Sequence, residues 1–250
     1  MTGEAENVRA FPDAGFVSLH TDLADPEKDF ALLARASPFG SGSHRHPDQG
    51  SFALFFRGTA LVSPSGYFGR QYGSKHHREW CNSTAAHNAV LIDGKGQEPN
   101  SFRAVGRIVS VQDCGPLKRA LLDCTEAYPG LTRWQRTFEL RGEGGERILT
   151  VTDEIESPSR VSVTWPLHTL SRPSWENGGA VWERNGIRTE AVPAEGGLLP
   201  DAILDEFPVP LNAGEPEEYA VSMPPQYHIF WKTAPAEKHR IVVRFRVTEG

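Results

Sequence analysis

Short segments in which apolar and polar residues alternate follow one another along nearly the whole chain, and they constrain its fold more than any other feature. The clearest pair is Arg133–Leu140 (RWQRTFEL) and Arg147–Glu154 (RILTVTDE), which the glycine-rich stretch 142–145 separates. Alternation with a period of two is typical of β-strands that bury one face. About a dozen such segments, with little helical periodicity, predict an all-β fold: a large antiparallel β-sandwich of two sheets with few helices.

The remaining segments are assigned by the same pattern. Asp29–Ala36 (DFALLARA) is apolar and could form a strand or a short helical turn. Residues 1–12 are expected to be a loose lead-in, and the proline-containing stretch 193–210 a long surface loop. The other predicted strands are 14–20, 52–57, 59–63, 89–92, 107–111, 161–167, 180–183, 186–192, 227–232 and 241–247.

Length and composition limit the possible classes of protein. A chain of 250 residues can form one large β-domain, so we treat 1–250 as a single domain. The net charge of −6 argues against nucleic acid as a partner. No apolar run reaches the ~18 residues of a membrane span, so no membrane partner is expected.

The chain start and the cysteines add little about location. The acidic, polar opening is unlike a signal peptide, which leaves the cytoplasm and the periplasm of a bacterium both open. Three cysteines are present, an odd number whose spacing fits no zinc knuckle. They are expected to be free or buried, and the one conceivable disulfide joins Cys114 to Cys124.

The densest polar cluster is the loop 41–48, which carries His44 and His46. Residues two apart on an extended backbone point to the same side, so both imidazoles can face one site. They could share a metal, or one could bind metal while the other faces a substrate, since neutral imidazole is the commonest metal ligand. A pair of exposed loop histidines is the alternative for an isolated motif of this kind.

Two further segments carry polar side chains of interest. STAAHN ends in His87 and Asn88 just before a predicted strand, where each could serve a site or simply be buried or cap a turn. The segment 63–78 concentrates positive charge in an otherwise acidic protein, which would attract a carboxylated substrate. A solvated loop is the alternative interpretation of this segment, which holds Tyr67, Arg70, Tyr72, Lys75, His76, His77 and Arg78.

A cupin-type metal enzyme is a second interpretation of the same segments. His44-Arg45-His46 is similar to the first cupin metal motif, and Gly58, Pro64 and Gly66 are similar to the frame of the second. However, no Glu follows His46 closely, and Gly69 stands where the second-motif His is expected. Two of the four ligands are therefore missing, which ranks this interpretation low.

Four segments in order resemble the C-terminal domain of the heparinase II/III-like and oligoalginate lyase families. The resemblance covers most of the chain from about Phe16 onward. HRHPDQGSF and TAAHNAVLIDGKGQ carry most of its weight, and the Leu167–Thr169 segment and the closing strands are also similar. The four segments are HRHPDQGSFALFFRG, ALVSPSGYFGRQYGS, STAAHNAVLIDGKGQ and TEAYPGLTRWQRTFEL.

The resemblance implies a lyase that cleaves uronic-acid polysaccharides or oligosaccharides, such as alginate or glycosaminoglycans, by β-elimination. By motif position His44 matches the family's cleft histidine, and Tyr72 could supply a phenol, so these two are the expected catalytic residues. Arg45, Arg70, His77 and Asn88 are the expected substrate contacts. His46 and His87 match ligands of a zinc ion found in several members, but Ser63 stands where those members have an Asp, and serine is a poor zinc ligand.

The resemblance also implies a second half. In these families an N-terminal α/α toroid precedes the β-domain and forms the opposite wall of the cleft, and no segment of this sequence reads as a toroid. We therefore expect a fragment, one product of a split gene or a stand-alone domain, with the toroid as a possible partner encoded upstream. The rival to the lyase is a non-catalytic module that binds acidic carbohydrate.

Overall fold

The structure, a computed structural model, describes residues 6–67, 72–143 and 145–249. Its strands pair antiparallel and form three sheets of five, eight and four strands. The five-stranded sheet keeps the strands in chain order: β1 (Val8–Phe11), β2 (Phe16–His20), β3 (Phe30–Arg35), β4 (Phe52–Phe56) and β5 (Thr59–Val62).

The other two sheets contain the rest of the strands. The eight-stranded sheet has the order β12-β13-β14-β17-β10-β9-β8-β7, and the four-stranded sheet the order β15-β16-β11-β6. Their bounds are β6 (Leu91–Ile92), β7 (Arg107–Cys114), β8 (Leu117–Asp123), β9 (Arg133–Glu143), β10 (Glu146–Val161), β11 (Val163–Thr169), β12 (Ser174–Glu176), β13 (Gly179–Arg184), β14 (Ile187–Glu195), β15 (Leu199–Leu204), β16 (Tyr227–Lys232) and β17 (Ala236–Glu249).

In the part of the chain that the structure describes, helical structure is confined to short turns. Four of these are 3₁₀ turns and one, His77–Cys81, is a π-helical turn. Within the described ranges no helix is long and apolar enough to cross a membrane. The 3₁₀ turns are Ser65–Tyr67, Thr84–Ala86, Thr125–Ala127 and Glu217–Tyr219.

The two smaller sheets pack on one face of the eight-stranded sheet. Phe52 of β4 contacts Phe138 of β9, Trp165 of β11 and Phe245 of β17, so one side chain touches all three sheets. Alternate residues of β9, among them Trp134, are buried while their neighbours are more exposed. This alternation is the physical reason why β9 could be recognised in the sequence.

The prediction of an all-β antiparallel sandwich with few helices is confirmed, with the strands in three sheets where two were expected. Within Asp29–Ala36, residues Phe30–Arg35 form a strand. Two predictions of irregular structure were wrong. Residues 1–12 contain the edge strand β1, and 193–210 contains the end of β14 and all of β15. Both β1 and β15 lie at sheet edges, where polar residues and Pro200 are tolerated because one side of the strand needs no backbone partner. Cys114 and Cys124 are not joined to each other, so the one conceivable disulfide is not formed.

Candidate functional site

Two loops that are distant in sequence meet at one pocket. The first joins β3 to β4 and carries the His-Arg-His motif, and the second lies between β5 and β6 and carries both STAAHN and the basic segment. The pocket has a volume of about 250 Å³. Its lining residues are Ser43, His44, Arg45, His46, Tyr72, His77, Asn82 and Asn100.

Three aromatic rings line this pocket in a row. The ring of His44 lies 5.7 Å from the ring of Tyr72, which lies 4.8 Å from the ring of His77. His44 and Tyr72 are exposed, and the backbone N–H of Gly73 donates to His77 Nδ1 over 3.3 Å. A neutral His77 then carries its proton on Nε2, which leaves that nitrogen as a donor. The row therefore presents two imidazoles and a phenol to whatever enters.

The loop backbone and Arg45 shape the near side of the pocket. Ser43 has a left-handed backbone with φ of 65°, an uncommon conformation for a residue other than glycine. The Arg45 guanidinium lies over the Phe39 ring and donates from Nη1 to the carbonyl oxygens of Phe39 and Gly42. Its charge is thus held at the pocket. Arg70, the other arginine expected to contact substrate, lies outside the described residues.

Behind this row, His46 and His87 contact each other directly. His87 Nδ1 donates to the carbonyl oxygen of Ser83 over 2.8 Å, which leaves Nε2 of the neutral ring as an acceptor. His46 Nδ1 lies 3.0 Å from that Nε2 and donates to it. Gly66 packs against the same edge, where a Cβ would come within 2.5 Å of His87 Nε2.

Both imidazoles are held neutral. Burial, followed by the neighbouring His87, lowers the pKa of His46 to about 4. Burial also lowers the pKa of His87 to about 4, and the nearby Arg35 guanidinium acts in the same direction. The pair is therefore uncharged at neutral pH and can orient its neighbours without attracting anions.

The surroundings of this pair do not fit the zinc site that the family resemblance implies. Asp48, the carboxylate that could replace the missing ligand at Ser63, forms a 2.7 Å ion pair with Arg35 Nε and is fully buried. Among the described residues no three His, Cys, Asp or Glu side chains lie together so that they could hold a metal. A guanidinium beside two imidazoles also repels a second cation.

Asn88 occupies the core instead of the pocket wall. Its Nδ2 donates to the carbonyl oxygen of Phe52 over 2.7 Å, and its Oδ1 accepts from the backbone N–H of His168 over 2.9 Å. The residue is 1% exposed. Asn88 therefore does not contact a substrate as expected. Its role is structural, because its amide joins two sheets.

A buried ion pair that the sequence analysis missed connects the two motif loops. Arg136 Nε donates to Asp153 Oδ1, and Arg136 Nη2 donates to Asp153 Oδ2, each over 2.7 Å. Arg136 Nη1 donates to the carbonyl oxygens of Gly50 and Asn88, one in each motif. One signal in the sequence could have revealed this pair. The arginine and the aspartate occupy inward-facing positions of alternating strands, where apolar residues are the rule.

A second pair of histidines, also missed, packs against Trp80 of the π-helical turn that begins at the pocket residue His77. His168 Nδ1 and His228 Nδ1 are 2.9 Å apart on the paired strands β11 and β16, and both residues are at most 1% exposed. The rings of Trp80 and Phe207 cover His228. His76, next to the pocket residue His77, donates from Nδ1 to the carbonyl oxygen of Val209. This cluster anchors the pocket segment to the four-stranded sheet.

We expect acid to destabilise the protein through this buried pair. Burial lowers the pKa of His228 from 6.5 to about 4, so the unfolded chain binds the proton first. The stability that His228 contributes is complete above pH 6.5 and is lost as the pH falls towards 4. Between pH 7.5 and pH 4.5, His228 alone should lower the free energy of unfolding, measured by urea denaturation, by about 2–3 kcal/mol, and the other buried histidines add to this loss. In His228→Phe this pH dependence should shrink, and an unchanged slope would contradict the assignment.

Comparison with known protein families gave a match that extends over the same residues as the fold. The family model described as heparinase II/III-like, C-terminal, matches residues 3–248. A comparison with curated protein sequences gave no match. The match spans nearly the whole chain and includes both motif loops.

Solved structures share the fold at low sequence identity. The heparan sulfate lyase HepC from Pedobacter heparinus superposes with a TM-score of 0.76 at 17% identity, over 99% of this chain and 38% of that one. A heparinase III superposes with a TM-score of 0.72 at 15% identity, over 98% and 37% of the two chains. This chain therefore spans less than two-fifths of the length of these lyases.

Proposed function

The chain belongs to the heparinase II/III-like C-terminal domain family, and on this basis we propose that it forms one wall of a polysaccharide-lyase cleft. The substrate in this proposal is a polysaccharide or oligosaccharide that contains uronic acid, and an α/α toroid half supplies the opposite wall. The observation that carries the proposal is the pocket in which His44, Tyr72 and His77 stand in a row beside the Arg45 guanidinium.

The proposed reaction assigns each side chain a task in β-elimination. A base removes the proton from the carbon beside the uronate carboxylate, the glycosidic C–O bond on the next carbon breaks, and a C=C bond forms. His44, which is exposed at the pocket, accepts the proton. The Tyr72 hydroxyl protonates the departing oxygen. The positive charge of Arg45 stabilises the carboxylate as charge builds up on it.

The remaining side chains hold this arrangement in place. His77 Nε2–H donates to a sugar oxygen in this proposal, because its Nδ1 is already an acceptor. The His46–His87 pair forms the floor beneath the row and fixes the orientation of the His44–Arg45–His46 loop. Neither imidazole needs a charge for this role.

The test is the absorbance of unsaturated uronate during incubation with heparan sulfate, heparin, hyaluronan or alginate. We expect a rise with at least one of these polymers when the chain is assayed together with its toroid half, in the polypeptide form that the cell makes. The chain alone should bind the same polymer with little or no turnover, because residues 1–250 supply one wall of the proposed cleft. No rise in the complete form, at any of the four polymers, would refute the lyase.

The second candidate function is a non-catalytic module that binds acidic carbohydrate. The high exposure of Tyr72, 73%, favours it, because a catalytic phenol usually needs a more enclosed setting. Calorimetric binding of a polymer without any rise in absorbance in the complete form would support the module. The cupin-type interpretation is set aside, because the family match covers residues 3–248 with a different fold family.

We also propose that the His46–His87 pair works without zinc. Purified protein should retain less than about 0.1 zinc per chain after dialysis, because two imidazoles beside an arginine are too few ligands for a structural site. The measurement is inductively coupled plasma mass spectrometry. Ser63→Asp, which restores the carboxylate seen in zinc-binding relatives, is the matched control and should retain more zinc. One zinc per wild-type chain, lost in His46→Ala, would overturn this proposal.

A further inference from the structure

Two phenylalanine rings stand exposed on the loops that border the histidine pocket. Phe39 lies on the loop between β3 and β4, and Phe102 lies on the loop between β6 and β7. Their exposed fractions are 47% and 68%. Neither residue belongs to the buried core, so neither ring is needed to hold the sheets together. Aromatic side chains beside a few polar groups are the usual lining of a ligand site.

The two loops are fixed to each other through Ser41, which is fully buried. The backbone N–H of Ser41 donates to the carbonyl oxygen of Ser101 over 2.7 Å. Ser41 Oγ accepts from the backbone N–H of Ser101 over 3.1 Å and donates to the carbonyl oxygen of Glu98 over 2.6 Å. The two rings are therefore held in place before a ligand arrives, which lowers the cost of ordering them on binding.

Two glycines bring the Phe102 ring onto the pocket loop. A Cβ at Gly40 would collide with the carbonyl oxygen of Ser101, and a Cβ at Gly42 would lie 2.6 Å from Phe102 Cζ. Gly42 directly precedes Ser43, which lines the pocket. The tip of the ring makes this contact, so most of the ring stays exposed at the rim of the pocket.

The same rim carries a positive charge. The Arg45 guanidinium lies 5.0 Å from the centre of the Phe39 ring, and Arg45 lines the pocket. Asn100, two residues before Phe102, lines the pocket as well. The phenylalanines, the guanidinium and the histidine pocket therefore form one continuous surface.

A chain of acidic sugars presents the two kinds of group that this surface can bind. Each pyranose ring has a face of C–H groups that can pack flat on an aromatic ring, and each uronate carboxylate can pair with a guanidinium. Because Arg45 lies between the pocket and Phe39, a sugar unit whose carboxylate reaches Arg45 leaves its neighbour in the chain over the phenylalanines.

We propose that Phe39 and Phe102 form a second sugar subsite at the rim of the histidine pocket, an inference that rests on the proposed function. The unit in the pocket is the one whose glycosidic bond breaks, and the next unit of the same chain packs on the two rings. Phe102 is the main contact, because it is the more exposed of the two. Binding energy from this remote unit favours longer chains over disaccharides.

Calorimetric titration with disaccharides and hexasaccharides of heparan sulfate and of alginate tests the subsite. The protein is used in the polypeptide form that the cell makes, and every variant carries His44→Ala, so that the sugar is not cleaved during the titration. Adding Phe102→Ala should weaken hexasaccharide binding about fivefold to twentyfold and leave disaccharide binding within about twofold. Leu199→Ala, at a position 67% exposed on β15, is the matched control and should change neither.

Phe102→Trp tests for direct contact, because it keeps a flat aromatic ring at this position. It should bind the hexasaccharide within about threefold of the protein with Phe102. Acrylamide should quench the fluorescence of the introduced indole in the free protein, and the hexasaccharide should protect it. The same titration of the protein with Phe102 gives the background from the other tryptophans.

Three results would overturn the subsite. They are a protein with Phe102 that binds no hexasaccharide, hexasaccharide binding that Phe102→Ala leaves unchanged, and an indole that polypeptide already shields from acrylamide before sugar is added. These measurements need no turnover, whereas the lyase is judged by the uronate absorbance of the protein with His44. Binding through Phe102 without turnover would therefore refute the lyase alone, and turnover without any effect of Phe102→Ala would refute the subsite alone.

Discussion

Arg136→Met is expected to lower the free energy of unfolding by about 3–5 kcal/mol, the usual cost of removing one partner from a buried ion pair. Arg136 and Asp153 are both fully buried, and the substitution leaves the Asp153 carboxylate without its countercharge. The indole N–H groups of Trp134 and Trp165, which also donate to Asp153, can replace only part of that stabilisation. Urea denaturation monitored by tryptophan fluorescence measures the loss.

The double variant Arg136→Met with Asp153→Leu is the matched control. It removes both charges, so it should recover part of the lost stability even though two indoles lose their acceptor. A single variant that loses less than about 1 kcal/mol would contradict the assignment, because it would place this pair in the range of exposed ion pairs. Loss without any recovery in the double variant would mean that packing, and not charge, sets the cost.

The same substitution should also disturb the pocket. Arg136 holds the carbonyl oxygens of Gly50, four residues after His46, and of Asn88, directly after His87. Without it the loop that carries His46 and the turn that carries His87 lose their common anchor. In the folded fraction, the histidine NMR signals of His46 and His87 should therefore shift more than those of His20, which lies on the opposite face of its sheet from the core.

In the proposed lyase, His44→Ala is expected to lower kcat by about 100-fold to 10,000-fold, the range for loss of a general base. KM should change much less, because the pocket keeps Arg45 and His77, the proposed substrate contacts. The measurement is the initial rate of unsaturated-uronate formation with the polymer that the wild type cleaves. The expected effect concerns the chemical step, since His44 is exposed and makes little contribution to the core.

Two control measurements separate a loss of catalysis from a general loss of stability or activity. The free energy of unfolding of His44→Ala should stay within about 0.5 kcal/mol of the wild type, as for other exposed substitutions. Lys238→Ala, on an exposed position of β17 far along the chain from the pocket motifs, should leave kcat unchanged. A His44→Ala protein that retains more than about one-tenth of the wild-type kcat would remove His44 from the catalytic role.

Local patterns in the sequence anticipated much of the fold. The alternation in 133–140 and 147–154 identified β9 and β10, because burial of one sheet face imposes a period of two on each strand. The edge strands β1 and β15 escaped detection, since an edge strand with prolines and charges has no such constraint. Residues of such edge strands are too little buried to produce a periodic pattern in the sequence.

The candidate site was anticipated in part. The two histidine motifs were expected to meet, and they do: His46 Nδ1 lies 3.0 Å from His87 Nε2. Asn88 was expected at the substrate, but it lies in the core. His168 and His228 carried no recognisable motif, because their partnership depends on the pairing of β11 with β16.

The sequence by itself determined the all-β class, because burial of one sheet face imposes a local periodicity. It also determined the family and the two loops that bear the histidines, because ordered segments such as HRHPDQGSF resemble those of the family. Only the tertiary structure decided what each polar side chain does. Arg136, Asp48 and Asn88 acquire their roles from groups 13 to 86 residues away, such as the Gly50 carbonyl held by Arg136 and the Arg35 guanidinium held by Asp48. The role of a charged or amide side chain is set by its nearest partner in space, and spacing along the chain does not identify that partner.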